Sequence, residues 1–305
     1  MTQRDRIKTV LLVCGFGFVL AAADGVPVAD SFGNVLGYDS SAAAASSGAR
    51  NASAIPDFAS DPTVGWFPDR PTGDDWIPPP SGPGPVMPDP AHPYVPNGAG
   101  QPTDHVADLS NPILQPWLLP SMKKANDEVL SGKVPFQPRE RCWPGGVPEF
   151  DVLHRAAPLY VVQSPKEVLL IQRGDPWIRH VFLNVPHSRN LKPTWHGESV
   201  GHYEGDELVV DTIGMNDKTF VDNYRTPHTE KLHVVEHWKL VDGGRTLQVA
   251  VTVDDPGAFT TQWKAIQRFR RFDEGGMLET ICAENNLAYF GFDVVPIPQS
   301  SKPDF

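Results

Sequence analysis

Proline limits this chain more than any other residue: 305 residues carry 32 of them, and 22 fall between residues 24 and 150. Proline fixes φ and has no N–H to donate, so it interrupts helix interiors and is excluded from central strands. The first half can therefore be neither mostly helix nor mostly central sheet, and regular structure must concentrate after residue 150. A hydrophobic share of 40% supplies the side chains for a real core there. The formal charge of −11 is opposite to that of a protein that tracks phosphates or seeks an anionic membrane surface, so nucleic acid is not an expected partner.

Arg4, Arg6 and Lys8 precede an apolar run from Val10 to Leu20, and Ala21, Ala22 and Ala23 offer a small-residue cleavage site before Asp24. This pattern predicts a signal peptide over 1–23, a periplasmic or secreted mature protein, and no membrane attachment once the signal is removed. The Ala/Ser/Gly-rich stretch 24–55 has too few large apolar side chains to pack and reads as a flexible linker. Over 56–150 the spacing predicts a proline-rich arm that lays Trp66, Phe67, Trp76 and Tyr94 on a neighbouring surface. That arm contains one helix at about 112–131, started by Asn111-Pro112 and stopped by Ser131-Gly132. Signal removal takes Cys14 and leaves Cys142 and Cys282, which a disulfide would join in an oxidising compartment; a nucleophilic cysteine near His154 is the sharper alternative.

After Pro158 the pattern changes to strand-length runs. Leu159–Gln163, Val168–Arg173, Trp177–Asn184, Val200–Tyr203, Leu208–Thr212, Leu232–Val241, Thr246–Asp254, Gln262–Phe272 and Met277–Cys282 are rich in β-branched and aromatic residues. Tight turn signals such as Glu204-Gly205-Asp206 and Asp242-Gly243-Gly244-Arg245 join several of them. No helical pattern intervenes, so the expected fold is mainly β: an antiparallel meander over 151–290 that closes into a barrel, lipocalin-like in outline, with a tail at 291–305. Alternation assigns the faces. Leu247, Val249, Val251 and Val253 share one side, and in the preceding strand Glu236 falls on the apolar side with Leu232, Val234 and Trp238. A carboxylate there is either paired with an inward Arg or Lys or placed for use.

Histidines and acids crowd the span from Asn184 to His237. His187, His228 and His233 are candidate bases, and Asp211, Asp217 and Glu236 are candidate acidic partners, because proton transfer needs a base with an orienting acid. The two long connections and the inward strand predict that His187, His228, His233, Asp217 and Glu236 converge on one cavity. Trp177, Trp195, Tyr224, Trp238 and Trp263 are the candidate ligand-binding aromatics. The set His187, His228, His233 and Glu230 contains suitable metal donors but no short metal signature, so no metal or other cofactor is expected.

Several motifs together resemble a large family of exported, mostly uncharacterised bacterial proteins. They are Arg141-Cys142-Trp143-Pro144-Gly145-Gly146-Val147-Pro148, Pro193-Thr194-Trp195-His196-Gly197-Glu198-Ser199-Val200-Gly201-His202-Tyr203-Glu204-Gly205-Asp206, Leu208 to Thr212, Pro227 to Glu236, and Cys282-Ala283-Glu284-Asn285-Asn286. The resemblance covers residues 85–305 and implies an exported β fold without a reaction or cofactor. His237-Trp238 departs from the pattern, which often has Arg and another aromatic there. The leading expectation is a barrel protein that binds a small apolar or aromatic molecule at the barrel mouth. A lyase, isomerase or hydrolase at the same site is the alternative, and a cell-envelope interaction protein acting through 56–110 is the third.

Overall fold

Nine strands close into a barrel, and one of them comes from the proline-rich arm. A computed structural model describes residues 55–59, 64–69, 76–93, 104–151, 158–173, 177–273, 275–280, 282 and 293–294. The expected signal peptide and nearly all of the expected linker lie outside these residues. In chain order the elements are β1 (Val64–Pro68), α1 (Leu119–Leu130), β2 (Lys133–Val134), β3 (Leu159–Gln163), β4 (Glu167–Gln172), β5 (Trp177–Leu183), β6 (Glu198–Glu204), β7 (Glu207–Ile213), β8 (His233–Val241), β9 (Thr246–Asp254), β10 (Trp263–Asp273) and β11 (Asp293–Val294). The barrel order is β1-β10-β9-β8-β7-β6-β5-β4-β3, and β11 pairs with β2 in a separate two-stranded sheet.

Two features depart from a simple meander. The described residues of 277–282 form no strand; β1 takes that place beside β10, from Val64 opposite Asp273 to Pro68 opposite Phe269, and closes on β3 where Trp66 faces Leu159. Gly65 allows this closure, since a Cβ there would press into the Pro158 ring. The second departure is β6, which runs parallel to β5. Parallel neighbours require the chain to travel back along the barrel. The 14 residues between Leu183 and Glu198 do so without a helix.

Inward side chains fill the barrel. Trp66, Val168, Val181, Val210, Trp238, Val249 and Phe269 are at most 1% exposed. One end is sealed by the arm: Phe58 N donates to Gln163 Oε1 at 2.6 Å, Gln163 Nε2 donates to Tyr203 Oη at 2.7 Å, and Trp66 Nε1 donates to the Phe58 carbonyl at 3.0 Å. At the opposite end Gln172 Nε2 holds the Phe150 carbonyl at 2.9 Å, with Val147 and Phe150 fully buried. Helix α1 packs there through Met122, Ala125, Asn126 and Val129. It starts at Leu119, later than expected, because Asn111 to Leu118 turns instead and bonds the chain around Ala258 through Gln115 N. Cys142 and Cys282 are disulfide-bonded with Cα atoms 5.6 Å apart.

Candidate functional site

β5 and β6 pair only through Val181–Leu183 and Ser199–Gly201. The first half of β5 therefore has no strand beside it on that flank, and the crossover 184–197 lies over the gap. A cavity of about 360 Å³ results, lined by Ile178, Arg179, His180, Phe182, Leu191, Thr194, His196, Gly197, Glu198 and Ser199. Close backbone contact pins the crossover. Thr194 N donates to the Gly214 carbonyl at 3.0 Å and Asn216 N to the Thr194 carbonyl at 2.7 Å. Gly197 has φ +65°, and a Cβ on it would collide with the Ile213 carbonyl and the Met215 sulfur.

Behind the cavity, inside the barrel, Arg179 and Glu236 form a buried ion pair, 1% and 0% exposed. Arg179 Nη1 donates to Glu236 Oε1 at 2.9 Å and Nη2 donates to Oε2. Its Nε donates to Ser199 Oγ at 3.0 Å and Nη2 also to Thr212 Oγ1 at 2.9 Å. Glu236 is thus the inward carboxylate that strand alternation predicts, neutralised by an arginine on the inward face of β5. His196 sits over this pair, edge-on to Phe150 and Trp177. Burial, reinforced by the Arg179 charge, pushes its imidazole down to about 4. Its Nε2 finds no hydrogen-bond partner among the described residues.

A second polar chain runs along the outer face. His187, on the crossover, places Nδ1 3.0 Å from Glu198 Oε1 and Nε2 2.9 Å from Asp211 Oδ1. His233 Nε2 meets the same Asp211 oxygen at 3.1 Å. Ser188 donates to Glu198 from its amide at 2.7 Å and from its hydroxyl at 2.5 Å. A neutral imidazole has one N–H, so His187 serves both carboxylates only when both ring nitrogens carry hydrogen. Burial opposes ionisation of Glu198, but the bonds from Ser188 and His187 outweigh it and hold the carboxyl below the usual glutamate range. Asp211 behaves alike: burial raises it, and His187 and His233 more than reverse that.

The expected five-residue convergence does not form. His233 and Glu236 are three apart on β8, so alternation sends them to opposite sides of the wall: His233 out, Glu236 in. His228 is 2% exposed and belongs to a different interior, where its Nε2 lies 2.7 Å from Thr219 Oγ1 and its Nδ1 donates to the Thr229 carbonyl at 3.0 Å. Burial lowers its pKa against that carbonyl and the Asp255 charge, so the ring is held neutral as a structural group. Asp217 is exposed, and its charge favours protonation of His228 against burial. The structure does join His187, Asp211 and His233. It adds Glu198, Ser188, Arg179 and His196, of which Arg179 was legible from its odd place in the Trp177-Arg179-Val181-Leu183 face.

The aromatic candidates also separate. Trp238 and Trp263 are each 1% exposed in the packed interior, and Tyr224 is buried in a polar loop beside His105. Trp195 leans on Trp143 at 5.8 Å. Trp177 packs edge-on to the lining residue His196, and neither Trp177 nor Trp195 lines the flank cavity itself. Among the described residues no group of three His, Cys, Asp or Glu side chains is arranged to hold a metal ion, and no helix is long and apolar enough to cross a membrane. Comparison with known proteins finds no matching family model, curated protein or solved structure.

Proposed function

We propose that this chain is an exported barrel protein that binds a small, largely apolar or aromatic molecule in the flank cavity, rather than at a barrel mouth. The cavity itself carries the reading: about 360 Å³ lies within the 300–1,000 Å³ range of small-molecule sites, with apolar walls from Ile178, Phe182 and Leu191 and a few convergent polar groups. Ile178 and Phe182 are 48% and 44% exposed, more apolar surface than a strand face needs to show to solvent. Export is supported by the basic, apolar and small-residue sequence of 1–23 and by the paired cysteines, which persist in oxidising compartments. Titration with the neutral fluorophore N-phenyl-1-naphthylamine tests the site. Saturable enhancement that Leu191→Arg abolishes, with an unchanged melting temperature, is expected; enhancement indifferent to Leu191→Arg and Phe182→Asp would sink it.

An acid–base enzyme is the second reading, favoured by the Glu198–His187–Asp211–His233 chain, because Glu198 belongs both to that chain and to the cavity wall. Mass spectrometry of the copurifying molecule, followed by incubation with wild type and His233→Gln, separates the two. A mass change that His233→Gln prevents marks an enzyme, and an unchanged molecule marks a binder.

A further inference from the structure

We infer that the ligand of the flank cavity carries a cationic end, an ammonium group being the chemistry that fits, with Glu198 as its counter-ion. This rests on the cavity being a ligand site and names what that site selects.

Two lining residues of the cavity bear a full charge, Arg179 and Glu198, and only one faces a ligand with unused capacity. Arg179 directs its donors into the barrel, to Ser199, Thr212 and Glu236, and the Glu236 carboxylate neutralises it there. Glu198 is different. Its Oε1 accepts from His187 and the Ser188 amide, whereas Oε2 accepts only from the Ser188 hydroxyl, leaving an acceptor site on an ionised oxygen. Glu198 is 18% exposed, so that site can be reached by a ligand.

The imidazoles around the site do not reverse this balance. His187 bridges Glu198 and Asp211, so a single ring faces two carboxylates. His196 is neutral at any pH well above 4. His180 lies at the outer rim, 3.1 Å from Glu167 and stacked on Phe182. The crossover cations Arg189 and Lys192 are exposed and outside the lining. An anionic ligand would therefore meet a carboxylate with no uncommitted cation. A ligand with an ammonium end would meet Glu198 with its charge and the apolar Phe182 ring with its body. The chain's net charge of −11 enriches cations at its surface in the same sense.

The test uses two probes of matched shape that are fully charged at neutral pH, 2-phenylethylammonium and 2-phenylethanesulfonate, each displacing bound N-phenyl-1-naphthylamine. The ammonium should displace the reporter at a concentration at least about tenfold lower than the sulfonate, the worth of one charge-assisted hydrogen bond. Glu198→Gln should erase that preference while keeping reporter affinity within about twofold. If the variant does not accumulate, the wild type answers alone: the preference should persist through mildly acidic pH and vanish only below the ordinary glutamate range, since the bonds from Ser188 and His187 outweigh burial and hold Glu198 below that range. Reporter binding with no ammonium preference, or a preference that survives in Glu198→Gln, overturns the inference alone. Absence of reporter binding overturns the cavity reading and this inference with it.

Discussion

Two ionic assemblies lie on either side of one barrel wall, built from similar residues and held in opposite surroundings. Inside, Arg179 and Glu236 are 1% and 0% exposed, and each charged group has its donors or acceptors met by the other or by Ser199 and Thr212. Outside, His187, Asp211 and His233 are 21%, 40% and 42% exposed and share one carboxylate oxygen. Burial makes the first pair obligatory, because a lone charge left in the interior has no water to turn to. Exposure makes the second adjustable, since water can replace any member. A histidine–carboxylate cluster is therefore where chemistry or selectivity can reside, and the inward ion pair is where the barrel keeps its shape.

The largest effect should come from breaking the inner pair. Glu236→Gln leaves the Arg179 charge buried without its counter-ion, and should cost about 3–5 kcal/mol by denaturant unfolding. Replacing both partners, Arg179→Met with Glu236→Leu, should recover most of that loss. A Glu236→Gln variant as stable as wild type would place the pair among the weak, solvated ones.

His196 gives the next effect, through pH. Its folded-state pKa of about 4 lies below the ordinary value of 6.5, so the unfolded chain binds the proton first as pH falls. Stability should be complete above pH 6.5 and decline as pH drops toward 4, by roughly 3 kcal/mol in the limit. His196→Phe should flatten this acid limb. An unchanged limb would mean that His196 is solvated.

Backbone contact, rather than charge, holds the crossover over the outer face, so Gly197→Ala should cost about 2 kcal/mol through its left-handed φ and its clash with Ile213. The smallest effect belongs to the outer charges themselves: Asp211→Asn should change stability by less than about 1 kcal/mol. If Asp211→Asn instead cost as much as Glu236→Gln, the contrast between the two sides of the wall would collapse.

Much of the barrel was legible because strand periodicity is local. Leu159–Gln163 and Thr246–Asp254 are where the sequence puts them, and the inward place of Glu236 follows from counting by twos along β8. The same count, applied to His233 and Glu236 together, already forbids their meeting in one cavity. Trp238 and Trp263 look like ligand aromatics by composition alone, yet each lies on the inward parity of its strand and is packed into the barrel interior.

What the sequence determined by itself was the run of strands from Leu159 to Asp273, the face each residue shows and the cysteine pair, all of which depend on short-range pattern or on elimination. Tertiary structure decided the rest. Val64–Pro68 is too short and proline-bounded to announce itself, and becomes a strand only because β10 and β3 present open edges on both sides of it. The direction of β6 is likewise absent from its own residues, since strand pattern reads the same in either sense. A crossover bound to Gly214 and Asn216 sets it parallel to β5, and that choice parts the wall, opens the flank cavity and brings His187 to Glu198 and Asp211.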